Sequence, residues 1–216
     1  MKIGDLAYSW CDLAVLALIV VGILRGRNRG MSQELLDVLK WLAIVVVGGL
    51  VYQPAGRYVA DYTHIALSTA YVAVYIGVII LLRLFFGWIK HGVGEKLVGS
   101  DVFGDGEYYL GMVAGAVRFA CYILVGMALL NAQYVSPEQL AADRRAQQEN
   151  FGDISFPTVG RIQQTVFNGS ASGKLVKNYF GHELIVSAPP DKNAAPTETL
   201  RGQRQRTIDE VLGEKK

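Results

Sequence analysis

The sequence predicts an all-α membrane protein, a bundle of four transmembrane helices followed by short amphipathic helices in a C-terminal tail. Three observations predict this class. The 216 residues are 51% hydrophobic and 19% charged, below the roughly 25% charged residues of a soluble domain. Nearly all long apolar runs lie within residues 8–130. One of them, Tyr108–Leu130, has Arg118 near its centre and is long enough to cross a bilayer, which takes about 20 residues.

The charge balance argues against a nucleic-acid partner. The formal net charge is +2, and the sequence has no basic stripe with interleaved aromatic residues. The two cysteines, Cys11 and Cys121, lie in apolar stretches, where a free cysteine behaves as a small hydrophobic residue. A bridge between them is the alternative to two free thiols. Two such residues cannot form a disulfide framework or a CxxC metal site.

The first predicted span is Leu13–Leu24, preceded by the interface aromatics Tyr8 and Trp10. A run of this length could be the core of a signal peptide. Arginines follow it instead of preceding it, however, and no small-residue cleavage site comes next. The second predicted span is Leu35–Tyr52, with Lys40 close to one end, where its charged head can reach the interface.

The third and fourth predicted spans are Ile65–Ile89 and Tyr108–Leu130. The linker between the second and third spans contains Pro54 and Gly56, two residues that commonly interrupt helices. A glycine-rich turn is predicted at Phe103–Gly106, ahead of the fourth span. The predicted linkers are residues 25–30, 53–64 and 91–107.

The basic residues predict the orientation, since cytoplasmic loops of membrane proteins are enriched in Lys and Arg. The first linker carries three arginines, the third has three basic residues in or beside it, and the second has only Arg57. The first and third linkers are therefore predicted to be cytoplasmic and both termini periplasmic. The three arginines of the first linker, Arg25, Arg27 and Arg29, are interpreted as topology determinants that also meet anionic lipid. The basic residues in or beside the third linker are Arg83, Lys90 and Lys96.

The polar residues after 130 form a tail with local helix signals. Ser136-Pro137 predicts a helix start, and this helix is expected to run to Asn150. Apolar residues at 159–166 and at 175–180 recur at helical spacing. We expect these short helices to lie on the membrane surface or on the bundle. The predicted units are a membrane domain at 1–130, an amphipathic tail at 131–187 and a largely disordered polar end at 188–216.

Glycines four residues apart occur in the first and fourth predicted spans. Gly22, Gly26 and Gly30 form two overlapping GxxxG spacings, and Gly111 and Gly115 form another. Small residues at this spacing let two helix backbones approach closely in lipid. We therefore predict helix packing at Gly22, Gly26, Gly111 and Gly115. For the Gly26–Gly30 pair, at the membrane edge, a helix end and turn is the alternative.

Arg118 needs a partner, because a charge in the middle of a span is costly and faces other protein. Two interpretations stay open: an ion pair that fixes the bundle, or a residue that lines a polar path. The candidate partners are Asp12, at the outer end of the first span, and Glu34, at the inner end of the second. Both acidic residues also fit the simpler interpretation of carboxylates favoured by a helix N-terminus.

The sequence contains no recognisable catalytic or cofactor motif, so we predict no enzyme activity, no cofactor and no metal. The segment NGSASG at 168–173 resembles GxSxG, but Ala171 occupies the nucleophile position. The histidines His64, His91 and His182 stand singly, without the spacing of metal ligands.

Three short motifs occur in order around the predicted spans. They are Trp10-Cys11-Asp12, Arg29–Leu35 (RGMSQEL) and Leu110–Arg118 (LGMVAGAVR). In this order they resemble the W-x-D, R-G-x-x-x-E and L-G-x-x-x-G-A-x-R elements of the colicin V production protein (CvpA) family of bacterial inner-membrane proteins. Two positions differ from that pattern. Glu107–Tyr109 stands where the family often has Asp-Arg, and Phe119 stands where it has glycine.

The resemblance covers about residues 8–130 and implies a multi-pass protein of the bacterial inner membrane. It further implies a link to colicin V (toxin) production or export and to envelope homeostasis. Some members carry a secreted protease domain after four spans, which implies an external C-terminus. The expected function is a non-enzymatic scaffold or assembly factor, with the lipid bilayer, envelope or secretion proteins and a homo-oligomer as expected partners. The alternative is an oligomeric small channel or transporter in which Arg118 lines a polar path.

Overall fold

A computed structural model of the chain describes residues 2–3, 6–7, 9–98, 104–135, 141 and 158–187. Its architecture is helical apart from a minimal hairpin in which β1 pairs antiparallel with β2. A 3-10 turn at Gly104–Gly106 leads into α4. The strands are β1 (Lys2–Ile3) and β2 (Leu6–Ala7), and the helices are α1 (Trp10–Arg29), α2 (Met31–Thr63), α3 (Leu67–Val98), α4 (Glu107–Asn131), α5 (Val159–Phe167) and α6 (Ala171–Tyr179).

The predicted helical membrane class is confirmed, with three helices long and apolar enough to cross a bilayer among the described residues. They are α2, residues Leu67–Gly92 of α3, and α4, with mean hydropathies of 2.0, 2.3 and 2.0. Helix α1 is not one of the three, since Asp12 and three arginines lie near its ends. It has 20 residues, a length of about 30 Å at 1.5 Å per residue.

The helices are longer, and their connections shorter, than the sequence predicts. The linker predicted at residues 25–30 is wrong because α1 continues to Arg29 and only Gly30, at φ 75°, separates it from α2. The linker predicted at residues 53–64 is also wrong, because α2 passes through Pro54 and ends at Thr63. Gly56 lies against the ring of Tyr71 on α3, so this glycine serves packing between helices and does not form a turn.

The four long helices lie side by side in the order α1, α4, α2, α3, because α4 packs against both α1 and α2, and α3 packs against α2. The core lies among α2, α3, α4 and the tail and includes Tyr52, Tyr75 and Ile185, each about 1% exposed or less. Large apolar side chains also point outward from the bundle, with Leu13 at 68% and Leu84 at 70% exposure. Such outward surfaces suit helices that face lipid.

The tail residues 158–187 pack onto the bundle. Phe167 of α5 and Val176 of α6 are buried, as are Leu184 and Ile185 after α6. The helix predicted at 136–150 lies outside the described residues except for residue 141, which is helical, and the disordered end predicted at 188–216 lies wholly outside them.

Candidate functional site

The contact between α1 and α4 is made by glycines from both helices. A Cβ atom on Gly26 would collide with the carbonyl oxygen of Gly111, and one on Gly115 would collide with that of Gly22. Because Gly22 faces Gly115 and Gly26 faces Gly111, the helices α1 and α4 run antiparallel. The predicted close approach of two helix backbones at GxxxG glycines thus occurs between two helices of the same chain.

At the end of this contact where α4 begins, Gly30 packs against Gly111 and Glu107. A Cβ on Gly111 would lie 2.9 Å from the Cα of Gly30, and a Cβ on Gly30 would lie 2.8 Å from a carboxylate oxygen of Glu107. The positive φ of Gly30 is itself a conformation that favours glycine. Gly30 thus connects α1 to α2 in one residue while α4 begins directly against it.

Arg118 lies on α4 and pairs with acidic residues of α2. Its Nη1 is 2.5 Å from Oε2 of Glu34 and 3.7 Å from Oδ2 of Asp37. The side chains of Arg118 and Glu34 are 3% and 0% exposed. Of the two partners considered from the sequence, the structure brings Glu34 to Arg118 and leaves Asp12 at the other end of α1. Nε of Arg118 has no hydrogen-bond partner among the described residues.

Further basic residues surround the same two carboxylates. Arg29 lies 3.6 Å from both Glu34 and Asp37, and Asp37 also pairs with Lys40 at 2.7 Å and Lys90 at 3.8 Å. Removing ions from water is costly, and a buried pair needs several favourable contacts to offset that cost. The network offsets part of it by placing each carboxylate between at least two cations, although neither Glu34 oxygen has a hydrogen-bond partner among the described residues.

These charges line a crevice of about 310 Å³ at the end of the bundle where α1 joins α2. Five basic side chains and one carboxylate, that of Asp37, contribute to its wall, and the aromatic residues Trp41, Phe119 and Tyr122 complete it. Glu34 lies behind Arg118. Five cations against two carboxylates leave an excess of positive charge. The basic residues are Arg25, Arg29, Lys40, Arg83 and Arg118.

The predicted topology residues have different surroundings. Arg29 is partly covered and paired with α2, Arg25 lines the crevice, and Arg27 is exposed. Among the described residues, neither Arg25 nor Arg83 has an acidic group within ion-pair distance. The crevice therefore combines paired cations with at least two that are available for an anion.

Asp12 joins the start of α1 to the tail. Its carboxylate accepts hydrogen bonds from the backbone N–H groups of Ala171 (3.1 Å) and Ser172 (2.8 Å), and from the Ser172 hydroxyl (2.6 Å). Ser170 accepts the next N–H of α6, from Gly173. Asp12 also accepts the N–H of Ser9 in a capping box. One carboxylate thus caps two helix N-termini, which places negative charge at the positive ends of both dipoles.

The pKa of Asp12 reflects these contacts. Partial burial raises the pKa of this carboxyl, but the hydrogen bonds from Ser172, Ala171 and Ser9 outweigh the burial, so that the pKa lies below its usual value of 3.8. Asp12 is therefore ionised at neutral pH and serves as an acceptor in every one of these bonds.

Two further side chains hold the tail at the same end of the bundle. The Tyr52 hydroxyl donates to the carbonyl of Leu184 (3.1 Å) and accepts from the N–H of Val186 (3.3 Å). Asn131, the last residue of α4, donates to the carbonyl of Ile185 (2.9 Å). Three backbone groups of residues 184–186 thus find their hydrogen-bond partners on side chains of the bundle.

Sequence reasoning missed several residues of these two sites. Asp37 was interpreted only as a carboxylate at the start of the second span, as Glu34 also could be, and not as a partner of Arg118, although it lies three residues after Glu34 and so on the same helix face. Ser170, with a glycine three residues later, carries a helix-start signal inside the NGSASG segment. Tyr52 and Asn131 offer no comparable local signal, because their partners are backbone groups more than 50 residues away.

The described part of the chain brings together no group of three His, Cys, Asp or Glu side chains that could hold a metal ion. Cys11 and Cys121 are free thiols, the second of them buried.

Residues 11–147 match the family model described as colicin V production protein. A search of curated proteins and a search of solved structures each found no match.

Proposed function

The chain belongs to the colicin V production protein family, and on that premise we propose that it acts as a scaffold or assembly factor in the bacterial inner membrane. In this proposal it serves colicin V production or export and envelope homeostasis without catalysing a reaction. The match spans more than half of the chain, and the family is not a known enzyme family. Helices able to cross a bilayer support the membrane part of the proposal.

The observation that carries the scaffold role is the pairing of Arg118 with Glu34. Arg118 contributes to the wall of the crevice, but it is only 3% exposed and its guanidinium is held by two carboxylates, whereas a residue that conducts ions or a substrate must offer its charge to a path. An arginine used in this way fixes α4 against α2. The competing hypothesis is an oligomeric channel or transporter in which Arg118 lines a polar path.

The contact between Asp12 and the tail supports α1 as a fourth span. If only α2, α3 and α4 crossed the bilayer, the start of α2 and the tail after α4 would lie on opposite sides. Gly30 ties the end of α1 to the start of α2, yet Asp12, near the other end of α1, bonds to Ser172 in the tail. These contacts support a helix α1 that bridges the membrane, and its length of about 30 Å suits that role.

Both termini are proposed to be periplasmic. The basic residues Arg25, Arg27 and Arg29 lie at the end of the bundle opposite to the tail, and basic residues favour the cytoplasmic side. Tail helices that expose Leu175 and Tyr179 would then face the periplasm and the outer leaflet, where envelope or secretion partners could bind them. A homo-oligomer would use other surfaces than the four paired glycines, which are occupied within the chain.

Labelling with a membrane-impermeant thiol reagent in intact cells tests the topology. Single cysteines would replace Asn28, Thr63 and His182, all exposed, in a background with Cys11→Ala and Cys121→Ala. We expect labelling at positions 63 and 182 and protection at 28 until the cells are opened. Protection at 182 together with labelling at 63 would contradict the fourth span and the external tail.

A charge-free pair of substitutions tests the scaffold role against conduction. Arg118→Met and Glu34→Leu would each leave one buried charge without its closest partner, but the double variant removes both, and such replacements commonly preserve folding. In a colicin V-producing host whose own family member is deleted, we expect the double variant to restore toxin production when it restores folded protein. A folded double variant that produces no toxin would favour the channel hypothesis.

A further inference from the structure

Beside the basic crevice lies an apolar groove of about 340 Å³ between α1 and α4. The crevice and the groove share Phe119 and Tyr122 as walls. On α1, the crevice residue Arg25 is followed toward the N-terminus by the groove residues Leu18 and Cys11. Arg25 and Leu18 are seven residues apart, as are Leu18 and Cys11, so all three lie on one face of the helix.

Helix α4 shows the same change of chemistry along its length. Its crevice residues Phe119 and Tyr122 are followed by Gly126 and Met127, which line the groove. A Cβ on Gly126 would meet no atom within 4 Å, so the missing side chain makes the groove deeper at this point. One strip of surface therefore runs from a cationic end to an apolar end.

The first part of this strip fits within one leaflet of a membrane. Arg25 and Leu18 are seven residues apart, a rise of about 10 Å at 1.5 Å per residue. Half of a hydrocarbon core of about 30 Å is about 15 Å. A phosphate at the level of Arg25 would therefore place an acyl chain alongside Leu18 and Gly126.

We propose that this strip is a binding site for an anionic phospholipid, with the headgroup phosphate between Arg25 and Arg83 and one acyl chain in the groove. Charge complementarity identifies this occupant, since Arg25 and Arg83 come from two helices and neither has an acidic partner among the described residues. Arg29, Lys40 and Arg118 are engaged by Glu34 and Asp37, so the phosphate is assigned to the two unpaired arginines. The site takes its lipid from the leaflet at the arginine-rich end.

Native mass spectrometry of the purified full chain, released from detergent micelles, tests the proposal. The protein would be titrated with phosphatidylglycerol, with phosphatidylcholine of the same acyl chains, and with inorganic phosphate. We expect phosphatidylglycerol to bind at least about tenfold more tightly than phosphatidylcholine, because nearby basic residues each strengthen binding to anionic lipid. Equal binding of the two lipids would overturn the proposal.

Two pairs of variants assign the binding to this strip. The double variant Arg25→Gln, Arg83→Gln is expected to weaken phosphatidylglycerol binding by about tenfold or more, whereas Arg27→Gln, outside the crevice, leaves it unchanged. Gly126→Leu fills the groove and is expected to weaken binding of the same lipid. Gly77→Leu is its matched control, since a Cβ at Gly77 also meets no atom within 4 Å. Unchanged binding in the double arginine variant or in Gly126→Leu would overturn the site.

Two other occupants have distinct signatures. Displacement of phosphatidylglycerol by inorganic phosphate at equal concentration would make the crevice a site for free phosphate and would overturn the lipid assignment. A dimer signal that Gly126→Leu abolishes and lipid does not affect would assign the groove to a second copy of the chain. None of these readouts depends on colicin V, so the lipid site and the proposed function can fail separately.

Discussion

The helix pairs α1–α4 and α2–α3 use glycine in different ways. Between α1 and α4, glycine faces glycine and the backbones themselves touch, as at Gly26 and Gly111. Between α2 and α3, glycine faces tyrosine, and the Tyr75 ring fills the space over Gly48. A ring can shift by a fraction of an ångström, but a backbone carbonyl in a helix cannot. The first contact should therefore fail abruptly when a side chain is added, and the second should weaken gradually.

The largest effect is expected for Gly111→Leu. Its side chain would meet the backbone of Gly26 and Gly30, so α1 could not pack on α4. We expect a loss above about 4 kcal/mol, the range of exceptional single substitutions, seen as loss of monodisperse protein in size-exclusion chromatography. Gly77→Leu, which adds the same side chain in open space, is the control. A Gly111→Leu variant as stable as this control would refute the backbone contact.

The next effect concerns the link between the two pairs, the contact of Arg118 on α4 with Glu34 on α2. Glu34→Gln removes the closest carboxylate and leaves the buried arginine with Asp37 alone at 3.7 Å. We expect a loss of about 3 kcal/mol or more, measured by unfolding in a denaturing detergent. Asp61→Asn, at an exposed position of the same helix, should have almost no effect. Equal stability of the two variants would contradict a structural role for the ion pair.

A smaller effect is expected for Gly48→Ala in the pair α2–α3. The added methyl group would lie 2.7 Å from the Tyr75 ring, and overpacking of this kind costs about 1 to 3 kcal/mol. The same alanine in a Tyr75→Leu background should cost less, because a smaller side chain leaves room. The unfolding free energies of the four proteins measure this coupling. If Tyr75→Leu does not reduce the destabilisation caused by Gly48→Ala, the pair α2–α3 would tolerate an added side chain no better than the pair α1–α4.

The smallest effect is expected at Asp12, where α1 holds the tail. Because its pKa is lowered in the folded protein, the stabilisation is present above the usual value of 3.8 and is lost as the pH falls through the folded pKa below it. Asp12→Asn should weaken tail attachment by about 1 kcal/mol at pH 7. The labelling rate of a cysteine at His182 would report tail release in detergent. Wild-type protein should approach the variant as the pH falls below the folded pKa, and a variant that keeps the full pH dependence would contradict this role.

Much of the architecture follows from local pattern. Apolar runs of sufficient length predicted the membrane helices, and the spacing of Gly111 and Gly115 predicted a packing face. The linker with Pro54 and Gly56 was predicted wrongly, because turn propensity is a local property. In the structure α2 continues through both residues, and Tyr71 of α3 packs on Gly56, a contact that local sequence does not reveal.

The sequence by itself determined the helical membrane class and the family, and it identified the charged and glycine residues that matter. The length and hydropathy of an apolar run and the spacing of its residues depend only on residues that are neighbours in the sequence, so the sequence alone shows them. The tertiary structure alone decided that Gly22 and Gly26 pack on Gly115 and Gly111, that Arg118 pairs with Glu34, and that Asp12 caps a helix in the tail. Each of these contacts joins residues far apart in the chain, and only the packing of helices in three dimensions brings them within bonding distance.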